Sequence, residues 1–305
     1  MKQPCAAVDV GSNSIRLLVC DADGNRLERR MAITRLATGI DASGRFDETA
    51  LEHTLDVIET FAACWTAHGV TSKVRIAATS AVRDAADREQ FFTGVHARTG
   101  IHPEVLSGSD EAAFAYLGAV TAVGGRDSSA VVDIGGGSTE IVVGTGMQVS
   151  RSTSMQMGCV RMAERYARHD PLTAHDLDAL RADVRNQLDD DGVVGADEFL
   201  AADQLIAVAG TATTIGALHL GLDQYDETQI HGCRVPAPAL DALTDRLLAM
   251  TSRQRGQLGP MQPGREDVIH AGALILREIV ACGGFDSVIV SEHDGLDGLA
   301  ASLAD

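Results

Sequence analysis

Two stretches of the chain share one pattern of hydrophobic and polar positions. In each, an apolar run ends in an aspartate, turns through glycine and hydroxyl residues, and resumes as an aliphatic run. They are VDVGSNSIRLLV, starting at Val8, and VDIGGGSTEIVV, starting at Val132. The pattern predicts a strand, a tight turn and a second strand. The two copies lie about one small domain apart, which predicts two homologous lobes.

Strands and helices alternate after each predicted hairpin. In the first half we expect a strand at RRMAITRLAT, a helix ending at Gly69, a strand at VRIAAT, a helix capped by Ser80, a strand at IHPEVL and a helix capped by Ser109. In the second half we expect a strand at GMQVSRSTSM, helical structure from Gly158 to about Leu188, a strand at QLIAVAG, a helix capped by Thr211, Thr213 or Thr214, and a last strand at FDSVIVSEH.

This alternation predicts an α/β fold with mixed sheets. Lobe I is expected at residues 1–120 and carries the first turn. Lobe II is expected at 121–294 and carries the second, while a final helix at about 295–305 packs back onto lobe I.

Composition narrows the function classes. The 305 residues carry a formal charge of −18, which argues against non-specific binding to nucleic acid or to an anionic membrane. A phosphate substrate stays compatible, because a local group of arginines, backbone N–H groups and a cation decides its binding. The six cysteines are scattered without the spacing of a zinc site or disulfide framework, and no run of eighteen apolar residues or leader is visible. We therefore expect a soluble, cytoplasmic protein.

The two turns have the composition of phosphate loops. Their glycines allow close approach of a ligand to the main chain, and their polar residues add donors. The set comprises Gly11, Ser12, Asn13 and Ser14 in the first turn and Gly135, Gly136, Gly137, Ser138 and Thr139 in the second. Nucleotide loops of the GxGxxG and GxxxxGK[ST] types are excluded, because strand-forming residues follow these turns and lysine is missing.

Three carboxylates accompany the turns. Asp9 and Asp133 each stand at a strand end, and the repeated placement favours function over an Asx-turn. Glu140, seven residues after Asp133, returns on the opposite strand and can reach the same cation. Carboxylates with phosphate oxygens and water suit Mg²⁺.

Other residues keep two interpretations on spacing alone. Glu111 in a first helical turn suits the helix dipole, and Arg83 suits either an ion pair with Asp84 or the sheet edge where the hairpins open. Gly210 and Thr211 suit either a tightly packed helix entry or an anion site. The histidines show no ligand spacing and are assigned structural roles.

Ordered blocks along nearly the whole chain resemble the exopolyphosphatase and guanosine pentaphosphate phosphohydrolase (Ppx/GppA) family. They include AAVDVGSNSIRLLV, TRLATGI, ATSAVRDA, SGSDEAAFAYLGA, VVDIGGGSTEIV, MGCVRMAER, AGTATTIGAL, YDETQIHG, PGREDVIHAGALIL and VSEHDGLDGLA. The resemblance implies two ribonuclease-H-like lobes of the acetate and sugar kinase, Hsp70 and actin superfamily, with an interdomain cleft that closes over phosphates.

The resemblance also implies roles for single residues. Glu111 matches the family's catalytic glutamate and would be the general base, Glu140 would position cation and water, and Arg83 would contact the substrate phosphate. Asp9 and Asp133 match the Mg²⁺-associated aspartates, and the two turns match the phosphate loops. Arg16 and Arg265 are candidates for contacts to a longer phosphate chain or nucleotide.

Departures from the family pattern are few. SGSDEA stands for the usual SGEEEA and SEHDGL for a VSDRGL-like segment, and the chain resembles the short, two-domain form. The implied activity is Mg²⁺-dependent hydrolysis of the terminal phosphoanhydride of polyphosphate, and also of pppGpp to ppGpp, by a homodimer. A phosphotransferase of the same superfamily and a non-catalytic sensor of (p)ppGpp or polyphosphate are the alternatives.

Overall fold

The structure is a computed structural model, and it describes residues 3–124 and 128–303. The strands are β1 (Cys5–Val10), β2 (Ser14–Cys20), β3 (Arg26–Ile33), β4 (Val74–Ala78), β5 (Glu104–Val105), β6 (Ser129–Ile134), β7 (Thr139–Thr145), β8 (Gln148–Met155), β9 (Leu205–Val208), β10 (Arg234–Pro236) and β11 (Ser287–Val290). The helices are α1 (Ile40–Ser43), α2 (Glu48–Ala67), α3 (Ser80–Asp84), α4 (Glu89–Thr99), α5 (Gly108–Val123), α6 (Cys159–Tyr166), α7 (Ala174–Asp190), α8 (Asp197–Leu200), α9 (Ala209–His219), α10 (Glu227–Ile230), α11 (Ala237–Ala249), α12 (Ser252–Arg255), α13 (Ile269–Gly283) and α14 (Gly295–Ala301).

The chain forms two compact units. The first unit comprises Met1–Phe114 with Gly295–Asp305, and the second comprises Ala115–Asp294. The boundary between the two units falls inside α5, whereas the sequence predicts a boundary near residue 120. The return of the final residues to the first unit reflects α14, whose Leu296 and Leu299 pack with Ala7 and Leu18 of the first sheet.

The first unit is built on a five-stranded sheet of order β3-β2-β1-β4-β5. β1, β2 and β3 are antiparallel neighbours, while β4 and β5 run parallel to β1. Side chains alternate between the faces of a strand. Val8 and Leu17 therefore pack with α2 and α4 on one face, and Ala7 and Leu18 pack with α14 on the other.

The second unit repeats this topology. Its sheet has the order β10-β11-β9-β6-β7-β8, so β8-β7-β6-β9-β11 corresponds to the whole first sheet and β10 is an added edge strand. β9 runs parallel to both β6 and β11, as β4 does to β1 and β5. The predicted α/β fold, with two similar mixed sheets of ribonuclease-H-like order, is confirmed.

Several predicted helix starts are wrong in detail. Ser80 lies inside α3 rather than before it, and Thr79 occupies the cap without a side-chain hydrogen bond. At α5 the cap-like contact comes from Ser107, whose hydroxyl accepts the Asp110 N–H at 3.2 Å, so Ser109 is already within the helix. α9 starts directly at Ala209, which places the three predicted threonine caps inside the helix.

Two predicted helical stretches are interrupted. The stretch after VRIAAT is divided into α3 and α4, because the intervening segment is held by distant backbone: Ala86 donates to the Gly44 carbonyl at 2.9 Å, and the Asp87 carboxylate accepts the Phe46 N–H at 3.2 Å. The stretch beginning at Gly158 is divided into α6 and α7. In the described part of the chain, none of the helices has the length and apolar character needed to cross a bilayer.

Candidate active site

The first hairpin places Asp9 opposite Arg16. The two residues are register partners in β1 and β2, so their side chains share one face of the sheet, and they form a close ion pair. Both are largely buried, with side chains 14% and 17% exposed. Arg16 thus balances the Asp9 carboxylate within the protein, a contact that spacing alone did not indicate.

The first turn is tight. The Gly11 N–H donates to the Ser14 carbonyl at 3.0 Å, and a Cβ on Gly11 would lie 2.9 Å from that same oxygen. Only glycine fits here. The main-chain carbonyl of Asn13 points into the protein, where it accepts hydrogen bonds from the N–H groups of Thr34 and Arg35 at 3.1 and 3.0 Å.

The polar side chains of the first turn are buried. The Ser12 and Ser80 hydroxyls meet at 2.9 Å, which joins the turn to the start of α3. Asn13 is only 5% exposed, and neither its side-chain oxygen nor its side-chain nitrogen has a hydrogen-bond partner. A buried amide without partners is unfavourable, so a polar ligand at this turn would satisfy it.

Arg83 and Glu111 meet at the same edge of the first sheet. Since β1, β4 and β5 are parallel, their carboxyl ends lie at one edge, where α3 and α5 begin. The Arg83 guanidinium donates to the Leu106 carbonyl at 2.9 Å and to the Glu111 carboxylate at 3.4 Å. The structure therefore brings together two predicted site residues 28 positions apart.

The second hairpin places two carboxylates opposite each other. Asp133 and Glu140 are register partners in β6 and β7, as the seven-residue spacing predicted, and are 8% and 1% exposed. Their Cβ atoms are thus about 4.5–5.5 Å apart on one face of the sheet. The Ser154 hydroxyl of β8 donates to one Glu140 oxygen at 2.6 Å.

The second turn is held by α6. The carbonyl of Gly135 accepts from Cys159 at 2.9 Å, and that of Gly136 accepts from Val160 and Arg161 at 2.9 and 3.0 Å. These bonds satisfy the first N–H groups of the helix. Gly158 before them is required, because a Cβ there would lie 2.3 Å from the Gly136 carbonyl carbon. Ser138 and Thr139 are buried, and Thr139 donates to the Met157 carbonyl.

Gly210 and Arg265 are also neighbours. A Cβ on Gly210 would lie 1.8–1.9 Å from the Arg265 guanidinium, so this side chain rests directly on the first turn of α9. β9, which precedes α9, runs parallel to β6 and pairs Val208 with Asp133. The helix therefore begins beside that aspartate. Thr211, in contrast, is buried against Gly272 of α13.

A polar cluster near Arg265, formed by Tyr225 and Glu292, was not predicted from the sequence. Tyr225 donates to the Glu292 carboxylate at 2.5 Å, and burial together with the Glu292 charge raises the pKa of Tyr225. The phenol is therefore a neutral donor. Its sequence signals were the YDETQIHG and VSEHDGL blocks, to which no role was given. Ser80 and Ser154 were missed likewise, because their partners come from other elements.

The sequence matches known proteins over nearly its whole length. Residues 20–302 match the model of the Ppx/GppA phosphatase family. The chain belongs to this family. It is 40% identical over 316 aligned residues to Exopolyphosphatase 2 of Mycobacterium tuberculosis, and the alignment covers 98% of each chain. As a Ppx/GppA protein it is a hydrolase that acts on phosphoanhydrides.

Two further Ppx/GppA relatives extend the likeness. A guanosine-5'-triphosphate,3'-diphosphate pyrophosphatase of Photobacterium profundum is 28% identical, and the alignment covers 98% of this chain and 56% of that protein. The crystal structure of an exopolyphosphatase-like protein superposes with a TM-score of 0.92 at 34% identity, covering 99% of this chain and 98% of the other.

Proposed function

We propose that the protein is an exopolyphosphatase that hydrolyses the terminal phosphoanhydride of inorganic polyphosphate and releases phosphate. The observation that supports this most is the contact of Arg83 with Glu111 at the sheet edge where β1 ends in the first turn. A carboxylate held by a guanidinium next to a phosphate-type loop has the composition of a phosphoryl-transfer site. The relative named Exopolyphosphatase 2 supports the same substrate.

Glu111 is the proposed general base. Its carboxylate accepts a proton from water as the water oxygen bonds to the terminal phosphorus, the bridging P–O bond breaks, and the shortened polyphosphate departs. The Arg83 guanidinium holds Glu111 at 3.4 Å and lies where it can also balance charge on the equatorial phosphate oxygens. The first turn of α5 favours a carboxylate at this position through the helix dipole.

Asp133 and Glu140 are the proposed ligands of Mg²⁺. The two carboxylates are buried and lie opposite each other on neighbouring strands, so they offer oxygen donors from two sides, and oxygen donors suit this ion. The residues therefore fit the cation. Bound Mg²⁺ supplies charge that neutralises phosphate oxygens. Asp9 is a weaker candidate, because Arg16 already pairs with it.

The two turns are the proposed phosphate-binding elements. In the first, the partnerless Asn13 amide and the Ser12 hydroxyl are suited to phosphate oxygens. In the second, the turn of Gly135, Gly136 and Gly137 offers backbone N–H groups without side chains beside them, and Arg265 at the start of α9 adds a guanidinium.

Substitution of the base tests this proposal. We expect Glu111→Gln to lower phosphate release from polyphosphate in Mg²⁺ by about 10²- to 10⁴-fold, as expected for a lost general base. Asp110→Asn changes the exposed neighbouring acid of the same helical turn and should stay near the wild-type rate. Wild-type rates in the Glu111→Gln protein would refute the assignment.

A second candidate substrate is pppGpp, because a relative carries the name of a guanosine-5'-triphosphate,3'-diphosphate pyrophosphatase. Phosphate release should be compared on short polyphosphate, long polyphosphate, pppGpp and ATP. If kcat/KM is highest on pppGpp, then pppGpp and not polyphosphate is the substrate. Phosphate release that requires an added acceptor would favour a phosphotransferase, and tight binding without turnover would favour a sensor.

A further inference from the structure

A group of three potential metal ligands lies in the first unit, apart from the proposed phosphatase residues. One ligand atom from each of Glu28, Cys64 and His68 lies within 4.8 Å of the other two. Glu28 belongs to β3, while Cys64 is near the end of α2 and His68 is its C-cap. We propose that these three side chains form a binding site for Zn²⁺.

The donor set suits zinc. A thiolate, an imidazole and a carboxylate are the three ligand types that Zn²⁺ takes in proteins, at about 2.0–2.3 Å. Hard cations such as Mg²⁺ prefer oxygen only, so this set discriminates against the abundant cation. Three protein ligands leave the fourth tetrahedral position for water or another small donor.

The ligands are already arranged by the backbone. Cys64 and His68 are four residues apart on one face of the helix, and the His68 N–H donates to the Cys64 carbonyl at 3.2 Å. The His68 Nε2 atom lies 3.7 Å from the Glu28 Oε2 atom. Tetrahedral zinc ligands are about 3.3–3.8 Å apart, as the bond lengths require. The site therefore needs only small side-chain movements to close around the ion.

The surroundings of the site favour a cation, except for the positive charge of Arg30. The site stands at the C-terminal end of a helix of 20 residues, where the helix dipole favours positive charge. Arg30 donates to Oε1 of Glu28 at 3.2 Å, which orients the carboxylate so that its other oxygen faces His68. The Arg30 charge weakens the site, and the thiolate and carboxylate together offset a divalent ion.

The position separates this site from the phosphatase residues. Glu28 pairs with Val19 of β2, whose side chain packs on the α2 face of the sheet. Asp9 shares the opposite face with Ala7, which packs with α14. Glu28 also lies toward the far end of β2 from the first turn. The ion would link β3, an edge strand, to α2, and its role is structural or regulatory.

Cobalt titration tests the site without using hydrolysis. Co²⁺ replaces zinc in such sites, and a thiolate ligand gives a charge-transfer band in the near ultraviolet that carboxylate sites lack. With excess Mg²⁺ present, we expect the wild-type band to saturate at one equivalent per chain, and added Zn²⁺ to abolish it. A wild-type protein without the band would overturn the proposal, whatever its phosphatase activity.

Variants assign the ligands. Cys64→Ser should lose the band, and His68→Asn and Glu28→Gln should weaken Co²⁺ binding at least about 10- to 100-fold. Cys282→Ser removes an exposed cysteine, and His53→Asn removes an exposed histidine of the same helix, so both should bind as wild type. A band that persists in Cys64→Ser, or unchanged affinity in His68→Asn, would overturn the proposal.

Variants at the two partly exposed ligands keep the test valid if the variant at the buried ligand misfolds. Cys64 is buried, whereas the Glu28 and His68 side chains are each 31% exposed, so their variants test the site even if Cys64→Ser does not fold. Zn²⁺ should also raise the thermal midpoint of the wild type, because a ligand that binds only the folded state stabilises it. Equal stabilisation of the His68→Asn protein would contradict this site.

Discussion

The two hairpins have the same strand pairing and differ in the residue that lies opposite the aspartate. In the first, the cross-strand partner of Asp9 is Arg16; in the second, the partner of Asp133 is Glu140. The first pair balances its charge inside the protein, whereas the second places two buried carboxylates side by side. One duplicated element thus holds an ion pair in the first hairpin and, in the second, two carboxylates that we propose as ligands of Mg²⁺.

The turns differ in the same sense. Both direct their carbonyls to the protein, the first to the segment Thr34–Ala37 and the second to the first N–H groups of α6. The first turn carries Ser12 and Asn13, while the second is built from glycine. We therefore expect phosphate contacts at the first turn to involve side chains, and those at the second to involve mainly backbone.

The largest effect is expected at the carboxylate pair. Asp133→Asn should lower phosphate release by about 10³-fold and shift the Mg²⁺ dependence to higher concentration, because charge neutralisation by a metal contributes several kcal/mol. Asp9→Asn should change the Mg²⁺ dependence much less. Rates at stepped Mg²⁺ concentrations measure both. Equal shifts in the two variants would show that the hairpins do not differ in this way, and the exposed Asp178→Asn is the control.

A charge reversal can convert the first hairpin toward the second. Arg16→Glu replaces an ion pair by two opposed carboxylates, and we expect the free energy of unfolding to fall by about 2–3 kcal/mol in chelator, close to the loss of a charged hydrogen bond with added repulsion. Mg²⁺ should then stabilise this variant more than the wild type. Urea unfolding with and without Mg²⁺ gives the answer, and an unchanged Mg²⁺ effect would speak against the conversion.

The next largest effect is expected at Gly158, which packs against the backbone of the second turn. Gly158→Ala should destabilise the protein by about 1–3 kcal/mol, because the new methyl group would overlap backbone of Gly136 and Gly137. Gly195→Ala is a matched control, since a Cβ there has no atom within 4 Å. Thermal unfolding compares the two. A Gly158→Ala protein as stable as its control would mean that the second turn tolerates displacement.

The smallest effect is expected at the first turn. Ser12→Ala removes the hydroxyl contact with Ser80 and should lower the free energy of unfolding by about 0.5–1.5 kcal/mol. The double variant Ser12→Ala/Ser80→Ala should lose little more than either single variant, because both act on one hydrogen bond. Strict additivity in urea unfolding would show that the two hydroxyls stabilise the protein separately.

Local pattern was enough to predict the elements that carry the repeat. Seven positions from Asp133 to Glu140 across a glycine turn return the chain to the opposite strand, and the register confirms it. The α/β class followed from the alternation of strands and helices. The roles of Glu111, Arg83 and the other site residues stay predictions, and their contacts within each unit now give them a physical basis.

Features that depend on distant partners could not be predicted. The break between α3 and α4 results from contacts with Gly44 and Phe46, which nothing in the local sequence shows. Ser107 and Ser109 are equally good cap residues by type, and the end of β5 selects Ser107. The C-x₃-H spacing of Cys64 and His68 gains meaning only when the sheet brings Glu28 to α2.

The return of the last residues to the first unit bears on how the chain is made. Leu296 and Leu299 of α14 cover Ala7 and Leu18, and Asp297 pairs with Arg29 at 3.0 Å. On the ribosome this sheet face stays uncovered until α14 has been synthesised, although its own strands emerge first. The first unit therefore cannot be completed before the second unit has been synthesised, and a nonsense codon or cleavage near residue 295 would leave it with an uncovered apolar surface for chaperones and proteases.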